Sequence, residues 1–169
     1  VTGITLSTDN LQPGDLYVGV PGANRHGAMF AAQAKEGGAV ALLTDGAGAD
    51  LAAASGLPMI IVESPREALG AISAWVYRTA QAAPLLFGIT GTNGKTSVSY
   101  LLHGMLAQLG LVAGLSTTAE RKIGELTIAS SLTTPEATEV HGLLARMRES
   151  EVRAVVLEVS AQALTRNRV

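Results

Sequence analysis

The chain is 169 residues long, 47% hydrophobic and 15% charged, with a formal net charge of −2, which provides for one ordinary domain or two small ones and excludes the basic field that draws proteins onto nucleic acid or anionic lipid. No apolar run approaches the roughly 18 to 20 residues of a membrane span, and the first residues lack the basic and hydrophobic regions of a signal segment. The absence of cysteine removes disulfides and thiolate metal sites and fits a reducing compartment, so the cytoplasm is the expected location.

Because the chain opens on Val1 and stops at Val169, directly behind a strand and its turn, it is expected to be cut from something longer. Asp15 to Val20 is a β-rich run bounded by the turn signals Pro13-Gly14 and Pro21-Gly22, and predicts a strand. Gly27 to Glu36 has helical composition and stops at Gly37-Gly38. Val40 to Thr44 and Met59 to Val62 are short strands of buried type, separated by a Gly- and Ala-rich stretch. Such alternation means an α/β fold. At Ser64-Pro65-Arg66-Glu67 a hydroxyl, a proline in the first helical position and a glutamate compose a capping box, predicting a helix to about Gln81. Pro84 marks a seam between residues 1–83 and 84–169.

Beyond the seam, Leu85 to Thr90 predicts a strand, a glycine-rich turn follows, and Val98, Leu101, Leu102, Met105, Leu106 and Leu109 fall on one helical stripe closed by Gly110. Val112 to Ser116 is the next candidate strand, and Glu120 to Ile128 alternates around Gly124 like a small hairpin. Thr134-Pro135-Glu136 opens another helix, with threonine as cap and proline first. Ala154 to Val159 is an apolar run suited to a parallel strand buried on both faces. About three strands of one sheet are thus proposed for the second half, fewer than the usual five or six, and apolar surface is expected to stay open unless more protein covers it. His103 and His141 lie off the apolar stripes of their helices and are expected at the surface.

Gly91-Thr92-Asn93-Gly94-Lys95-Thr96, with Ser97 behind it, sits between a strand and a helix. There, successive backbone N–H groups can wrap a phosphate, and the helix N-terminus favours its charge. Lys95 would neutralise the β- and γ-phosphates of ATP, and the Thr96 hydroxyl would hold Mg²⁺, a hard cation that takes oxygen ligands. The loop is a variant, because the strict GxxxxGK[ST] pattern asks for glycine where Ile89 stands and Gly88 comes one place too early. An ordinary strand-to-helix turn is disfavoured by the apolar strand before it and the striped helix after it.

The segment Thr90 to Thr96 is similar to the ATP loop of the Mur ligases and of the folylpolyglutamate synthetases, both of which make amide bonds through an acyl phosphate. Residues 1–43 resemble the N-terminal UDP-binding domain of Mur ligases, whose pattern is Asp-Ser-Arg and then Pro-Gly-Asp-Leu-Phe-Val-Ala; folylpolyglutamate synthetases have no such domain. Ser7-Thr8-Asp9 replaces Asp-Ser-Arg, so Thr8 would supply the hydroxyl and the family arginine is missing. Asn24, Arg25 and His26 occupy the loop that lies near uracil and diphosphate in relatives.

Leu132-Thr133-Thr134-Pro135-Glu136 resembles the Thr-Thr-Pro-Glu segment that contacts the muramoyl dipeptide in tripeptide-forming Mur ligases and is lacking in pentapeptide-forming ones. Two hydroxyls and the free N–H groups of a new helix form a donor-rich edge suited to an anionic peptide or phosphate. Glu158-Val159-Ser160-Ala161-Gln162-Ala163-Leu164, with Arg168 downstream, resembles the family's Glu-Val-Ser-Ser-His-Ala-Leu and its arginine. A carboxylate ending a buried strand can reach a metal at a neighbouring phosphate loop, which makes Glu158 the metal candidate beside Thr96. Ser160 and Arg168 would then bind the nucleotide-sugar substrate. Ala161 and Gln162 depart from Ser-His, and an amide lacks the titratable proton of the imidazole.

The resemblance implies a small α/β UDP-binding domain over 1–83 and, over 84–169, the start of a P-loop, Rossmann-like central ATP-binding domain with a mostly parallel sheet. It also implies an activity: ATP phosphorylates a carboxylate of UDP-N-acetylmuramoyl-L-Ala-D-Glu, and the amine of an amino acid attacks the acyl phosphate, adding the third stem-peptide residue. Lys95, Glu158 and Mg²⁺ would act by charge neutralisation and positioning. In relatives a carbamylated lysine with a second Mg²⁺ and the amino-acid pocket lie further along, whereas the lysines here are Lys35, Lys95 and Lys122. Binding without turnover is therefore expected, with the remaining central and C-terminal domains as partners. The alternatives are a pentapeptide-forming ligase, a non-catalytic nucleotide or UDP-sugar-binding module, and a P-loop ATPase unrelated to the cell wall, which leaves the first part of the chain unexplained.

Overall fold

The computed structural model describes residues 1–81, 84–130 and 133–169; Ala83 on the expected seam and Leu132 of the Thr-Thr-Pro-Glu segment lie outside the described residues. Two compact units are formed, Val1–Tyr77 and Arg78–Val169.

In the first unit, β1 (Ile4–Thr5), β2 (Leu16–Val18), β3 (Ala41–Thr44) and β4 (Met59–Ile61) make an all-parallel sheet in sequence order. Parallel neighbours need crossovers. A 3-10 turn at Gly27–Phe30 running into α1 (Ala31–Glu36) supplies one, and α2 (Gly46–Ala52) another. Because side chains alternate between faces, Tyr17 and Leu42 meet Ala28, Ala31, Ala34 and Ala52, small residues that let the crossover segments lie close to the sheet. Leu16, Val18 and Leu43 point the other way and are also buried, as is Leu69 of α3 (Pro65–Val76). The sequence does not display β1, too short to show a period, or α2, whose Gly-Ala-Gly-Ala start has little helix propensity, or the short 3-10 turn Ala53–Ser55 behind it. Asp45 compensates as N-cap of α2, its carboxylate accepting the Gly48 N–H at 2.7 Å.

The capping box expected at α3 does not form. Ser64 makes no side-chain cap bond, and the helix begins on Pro65 and ends at Val76, short of Gln81, with Arg78 in the left-handed region at φ 53°.

In the second unit the sheet has five strands in the order β5 (Leu85–Ile89), β9 (Ala154–Glu158), β6 (Ala113–Ser116), β7 (Glu120–Ile123), β8 (Leu126–Ala129). The first three are parallel, and the expected hairpin continues the sheet as an antiparallel flank turning at Gly124, φ 58°. Helix α4 (Lys95–Gln108) covers one face, where Leu106 and Leu102 pack on Phe87, Leu115 and Val156. Helix α5 (Ala137–Glu149) covers the other, where Leu143, Leu144 and Met147 pack with Val155 and Ile123. A short α6 (Ala161–Thr165) follows β9.

Three expectations are corrected here. Only part of the α4 stripe is buried: Leu102 and Leu106 face the sheet together with Tyr100, whereas Leu101 is 63% and Leu109 77% exposed, and Val98 and Met105 are exposed with them. The helix has more apolar surface than one sheet face can take, and with Leu85 and Leu86 of edge strand β5 it leaves apolar surface open. Thr134 does not cap α5, whose N-cap is Glu136 without a side-chain bond, because the Thr134 hydroxyl is engaged by Glu158 O at the end of β9 and by the Ser160 N–H. Neither His103 nor His141 lies free at the surface; both are half-buried, and His141 Nδ1 stands 2.6 Å from Thr79 Oγ1.

Leu115 is fully buried between α4 and the sheet, so Leu115→Ala is expected to lower the unfolding free energy by about 2–5 kcal/mol in urea titrations. Burial holds the His141 pKa below its ordinary 6.5. Unfolded chain then binds the proton more readily than folded chain, and the stability present above the ordinary value is lost as pH falls below it. Unfolding midpoints measured from about pH 7.5 down to about pH 5.5 should fall, and more shallowly in His141→Asn.

Candidate functional site

The pairing of β5 with β9 sets Ile89 beside Glu158, so the loop that follows β5 and the carboxylate that ends β9 share one edge of the sheet. The loop enters α4 through Gly94, the N-cap, at φ 80°, and Gly91 stands at φ 148°. A side chain at either place would be strained by that backbone conformation. Thr92, Asn93 and Ser97 are exposed, and the first N–H groups of α4 open towards the loop. Lys95 Nζ donates to Gly91 O at 2.9 Å and reaches Thr92 O at 3.5 Å.

Glu158 is 3% exposed. Thr96 Oγ1 donates to both its carboxylate oxygens, at 3.1 and 3.0 Å, and the Thr118 N–H donates to Oε2 at 3.0 Å. All three bonds come from neutral donors, and no cationic side chain of the described residues meets this carboxylate. A buried charge so placed is costly unless a cation offsets it. Thr96 and Glu158 together present hard oxygen atoms, the donor type that Mg²⁺ takes, and with only two protein groups they leave room for the waters and phosphates it usually retains. Among the described residues no group of three or more His, Cys, Asp or Glu stands ready to hold a metal unaided.

The Thr-Thr-Pro-Glu segment is fastened to the same strand end. Thr134 Oγ1 donates to Glu158 O at 3.1 Å and accepts the Ser160 N–H at 3.0 Å. Thr133 Oγ1 accepts from Thr118 Oγ1 at 3.0 Å. Ser160 caps α6 by accepting the Ala163 N–H at 3.2 Å, which leaves its own proton available. Arg168 Nε lies 2.9 Å from Glu136 Oε1 as an ion pair without hydrogen-bond alignment, and Nη1 donates to Thr134 O at 3.4 Å. Ala161 and Gln162 are exposed on α6. The structure therefore brings Thr96, Glu158, Thr133, Thr134, Ser160 and Arg168 together around the C-terminal end of β9. Glu136, the last residue of the Thr-Thr-Pro-Glu segment, is the ion-pair partner of Arg168, and Thr118 is the partner that no motif singled out, because its place beside Glu158 follows from strand order alone.

The other expected residues belong to the first unit. Thr8 is half-buried after β1, and Asn24 is exposed in the tight loop closed by the Pro21 and His26 bridge. His26 Nδ1 accepts the Ala28 N–H at 3.1 Å, which assigns the ring proton to Nε2, 3.1 and 3.3 Å from the Asp45 carboxylate oxygens. Both ring nitrogens thus serve the fold, joining the cap of the 3-10 turn to the cap of α2. The Gly48 N–H first, and His26 after it, hold the Asp45 carboxyl below the usual carboxylate range.

Residues 1–77 match the family described as "Mur ligase family, catalytic domain", and residues 89–169 match "Mur ligase middle domain". The chain belongs to the Mur ligase family, of which it carries N-terminal and middle-domain sequence. Over its 169 residues it is 66% identical to the UDP-N-acetylmuramyl-tripeptide synthetase of Leifsonia xyli subsp. xyli. It is 49% identical to the UDP-N-acetylmuramoyl-L-alanyl-D-glutamate--2,6-diaminopimelate ligase of Streptomyces avermitilis. Each match takes in all of this chain and 33% of the relative, so the chain spans about a third of the length of these proteins. A solved structure of a UDP-N-acetylmuramoyl-L-alanyl-D-glutamate--2,6-diaminopimelate ligase shares the fold, with a TM-score of 0.80 and 21% identity over 99% of this chain and 33% of that one.

Asp45→Ala is expected to destabilise the first unit by about 1 kcal/mol through the lost cap. Since the folded pKa of Asp45 is depressed, its contribution is present above the ordinary carboxylate range and is lost as pH falls through the lowered value. Acid unfolding of the variant followed by circular dichroism should accordingly begin from a lower plateau and show a weaker dependence at the acid end.

Proposed function

We propose that this chain forms the nucleotide and metal side, and part of the muramoyl-peptide side, of an ATP-dependent amide ligase that adds the third stem-peptide residue to UDP-N-acetylmuramoyl-L-Ala-D-Glu. The observation that carries this reading is the meeting of the Thr96 hydroxyl and the Glu158 carboxylate, at 3.0 and 3.1 Å, on a strand end to which Thr134 and Ser160 are also bonded. The tripeptide step is favoured over the pentapeptide step by Thr133-Thr134-Pro135-Glu136 and by the 66% identity to a protein described as a tripeptide synthetase.

In this reading residues 1–83 hold the UDP part of the substrate, with Thr8 and Asn24 available for polar contacts and His26 shaping the loop beside them. Residues 84–169 hold ATP at Gly91 to Ser97. Thr96 and Glu158 would hold Mg²⁺, which when bound supplies positive charge against the phosphoryl group being transferred. Lys95 exchanges its two carbonyl partners for phosphate oxygens, and the helix start behind it favours the same charge. Thr133, Thr134, Ser160 and Arg168 orient the muramoyl dipeptide. One of its carboxylate oxygens attacks the γ-phosphorus, ADP leaves, and an acyl phosphate results. The amine of the incoming amino acid then adds to the acyl carbon, phosphate leaves, and the surplus proton passes to solvent. The protein's part in the first step is placement and charge compensation, which is the usual division of labour in phosphoryl transfer.

Relatives three times the length of this chain would supply the amino-acid pocket from their remaining sequence, so ligand binding is assigned to this chain and turnover to a longer polypeptide. No helix of the described residues is long and apolar enough to cross a membrane; we place the reaction in the bacterial cytoplasm.

Calorimetric titration of the chain with UDP-N-acetylmuramoyl-L-Ala-D-Glu should show binding. Titration with Mg²⁺-ATP should show affinity that Lys95→Ala reduces by about 10- to 100-fold, the worth of a charge-assisted hydrogen bond. A folded chain that ignores the UDP dipeptide, or that binds ATP equally well without Lys95, would refute the assignment.

A further inference from the structure

We infer that Thr118 is a positioning residue that sets the metal-side carboxylate of Glu158 and the substrate-side hydroxyl of Thr133 in register; this rests on the ligase reading above. Thr118 lies just past the C-terminal end of β6, beside the end of β9, and its two polar groups serve different walls of the site. Its main-chain N–H donates to Glu158 Oε2 at 3.0 Å, and its hydroxyl donates to Thr133 Oγ1 at 3.0 Å.

The turn that carries it is fixed from within. Thr117 is fully buried, its N–H bonds Glu120 O at 3.0 Å, and its hydroxyl oxygen accepts the Ala119 and Glu120 N–H groups, both at 3.2 Å. A hydroxyl folded back on its own turn in this way holds the local backbone. Thr118 is thereby presented on a rigid shoulder. On the far side, Thr134 is bonded to Glu158 O and Ser160 N, so the Thr133-Thr134 pair is tied to β9 by one residue and to Thr118 by the other.

Two consequences follow for the reaction. Thr133 Oγ1 already accepts one bond, so its own proton is directed away from Thr118 and is available to an anionic ligand. A hydroxyl that accepts a hydrogen bond is also a stronger donor, which makes Thr118, Thr133 and a substrate carboxylate a polarised series. The attacking carboxylate and the transferred phosphorus must also be aligned closely, since a misplacement of about 1 Å costs on the order of 10²-fold in rate. Glu158 belongs to the phosphate side of that alignment and Thr133 to the carboxylate side, and Thr118 bonds to both.

The test uses the full-length polypeptide that carries this sequence, with Thr118→Val, which keeps the shape and the N–H but removes the hydroxyl, and Thr118→Ser, which restores it. The expected result for Thr118→Val is a KM for Mg²⁺-ATP within about twofold of wild type, a KM for UDP-N-acetylmuramoyl-L-Ala-D-Glu raised about fivefold, the worth of one hydrogen bond, and a lower kcat. Thr118→Ser should recover all three. In a Thr133→Val background, Thr118→Val should add little, because the bond between them is already gone. The proposal is overturned if Thr118→Val matches wild type for the UDP dipeptide, if the two substitutions are additive, or if the ATP KM moves as far as that of the dipeptide, because the substitution keeps the N–H to Glu158 and equal shifts would mark a general disturbance of the site rather than the loss of one bond. A wild-type protein that binds Mg²⁺-ATP but releases no ADP when the UDP dipeptide is added together with an amino acid acceptor, diaminopimelate or lysine, overturns the ligase reading itself, a result told apart by the failure of the parent rather than of the variant.

Discussion

β9 is the last strand of its sheet in the chain, yet it takes a place between β5 and β6, hydrogen-bonded in parallel to both. That insertion positions everything else at the site. Ala154, Val155 and Val156 are fully buried, with α4 on one face and α5 on the other, so the strand is apolar on both sides in the way of a central parallel strand. The same burial fixes its register. A slip of one residue would exchange the side chains between faces and carry Glu158 away from Thr96. The energy that holds the carboxylate in place thus comes from hydrophobic contacts that have no part in the chemistry.

The polar groups at the end of β9 are ordered by that anchor. Glu158 uses its carboxylate for Thr96 and Thr118 and its carbonyl for Thr134, so one residue bonds to segments that precede it by long stretches of chain. Ser160 and Arg168 continue the same theme, one bonded through its N–H to Thr134 Oγ1 and the other through Nη1 to Thr134 O. Thr134 therefore belongs to the strand end more than to the helix that begins at Ala137, which explains why its hydroxyl does not cap that helix.

Local signals made much of this legible. The apolar runs at Leu85 and Ala154, the paired glycines of the phosphate loop and the proline that opens α3 are short-range features that the sequence displays directly, and the α/β class follows from the alternation of strands and helices. Strand order is a long-range property, and the adjacency of Thr118 to Glu158 follows from it alone. The buried face of α4 lies beyond the sequence for a related reason. Periodicity identifies a helix with apolar residues, but Leu101 and Leu106 both fit a stripe, and only the packed sheet decides between them. Small elements escaped for want of length or propensity, as with β1 and α2, and Ser64 shows that a capping-box spelling does not ensure a capping bond. The substrate contacts proposed for Thr133, Ser160 and Arg168 rest on family resemblance; the structure adds how each side chain is held.

The partners of Lys95 bear on how a polyphosphate is received. Its ammonium rests on two carbonyl oxygens of its own loop, neutral acceptors that engage at most two of its three N–H groups and leave its charge uncancelled. Had a carboxylate held it, an arriving phosphate would have traded one anion for another with little gain. Exchange of a carbonyl for a phosphate oxygen instead brings full charge compensation, and the field of the ammonium is felt by an anion beyond contact distance until mobile ions screen it, over about 8 Å at physiological ionic strength. Under the proposed function, capture of the nucleotide by this loop is expected to be faster in dilute than in concentrated salt, a kinetic property that follows from the choice of acceptor for a single side chain.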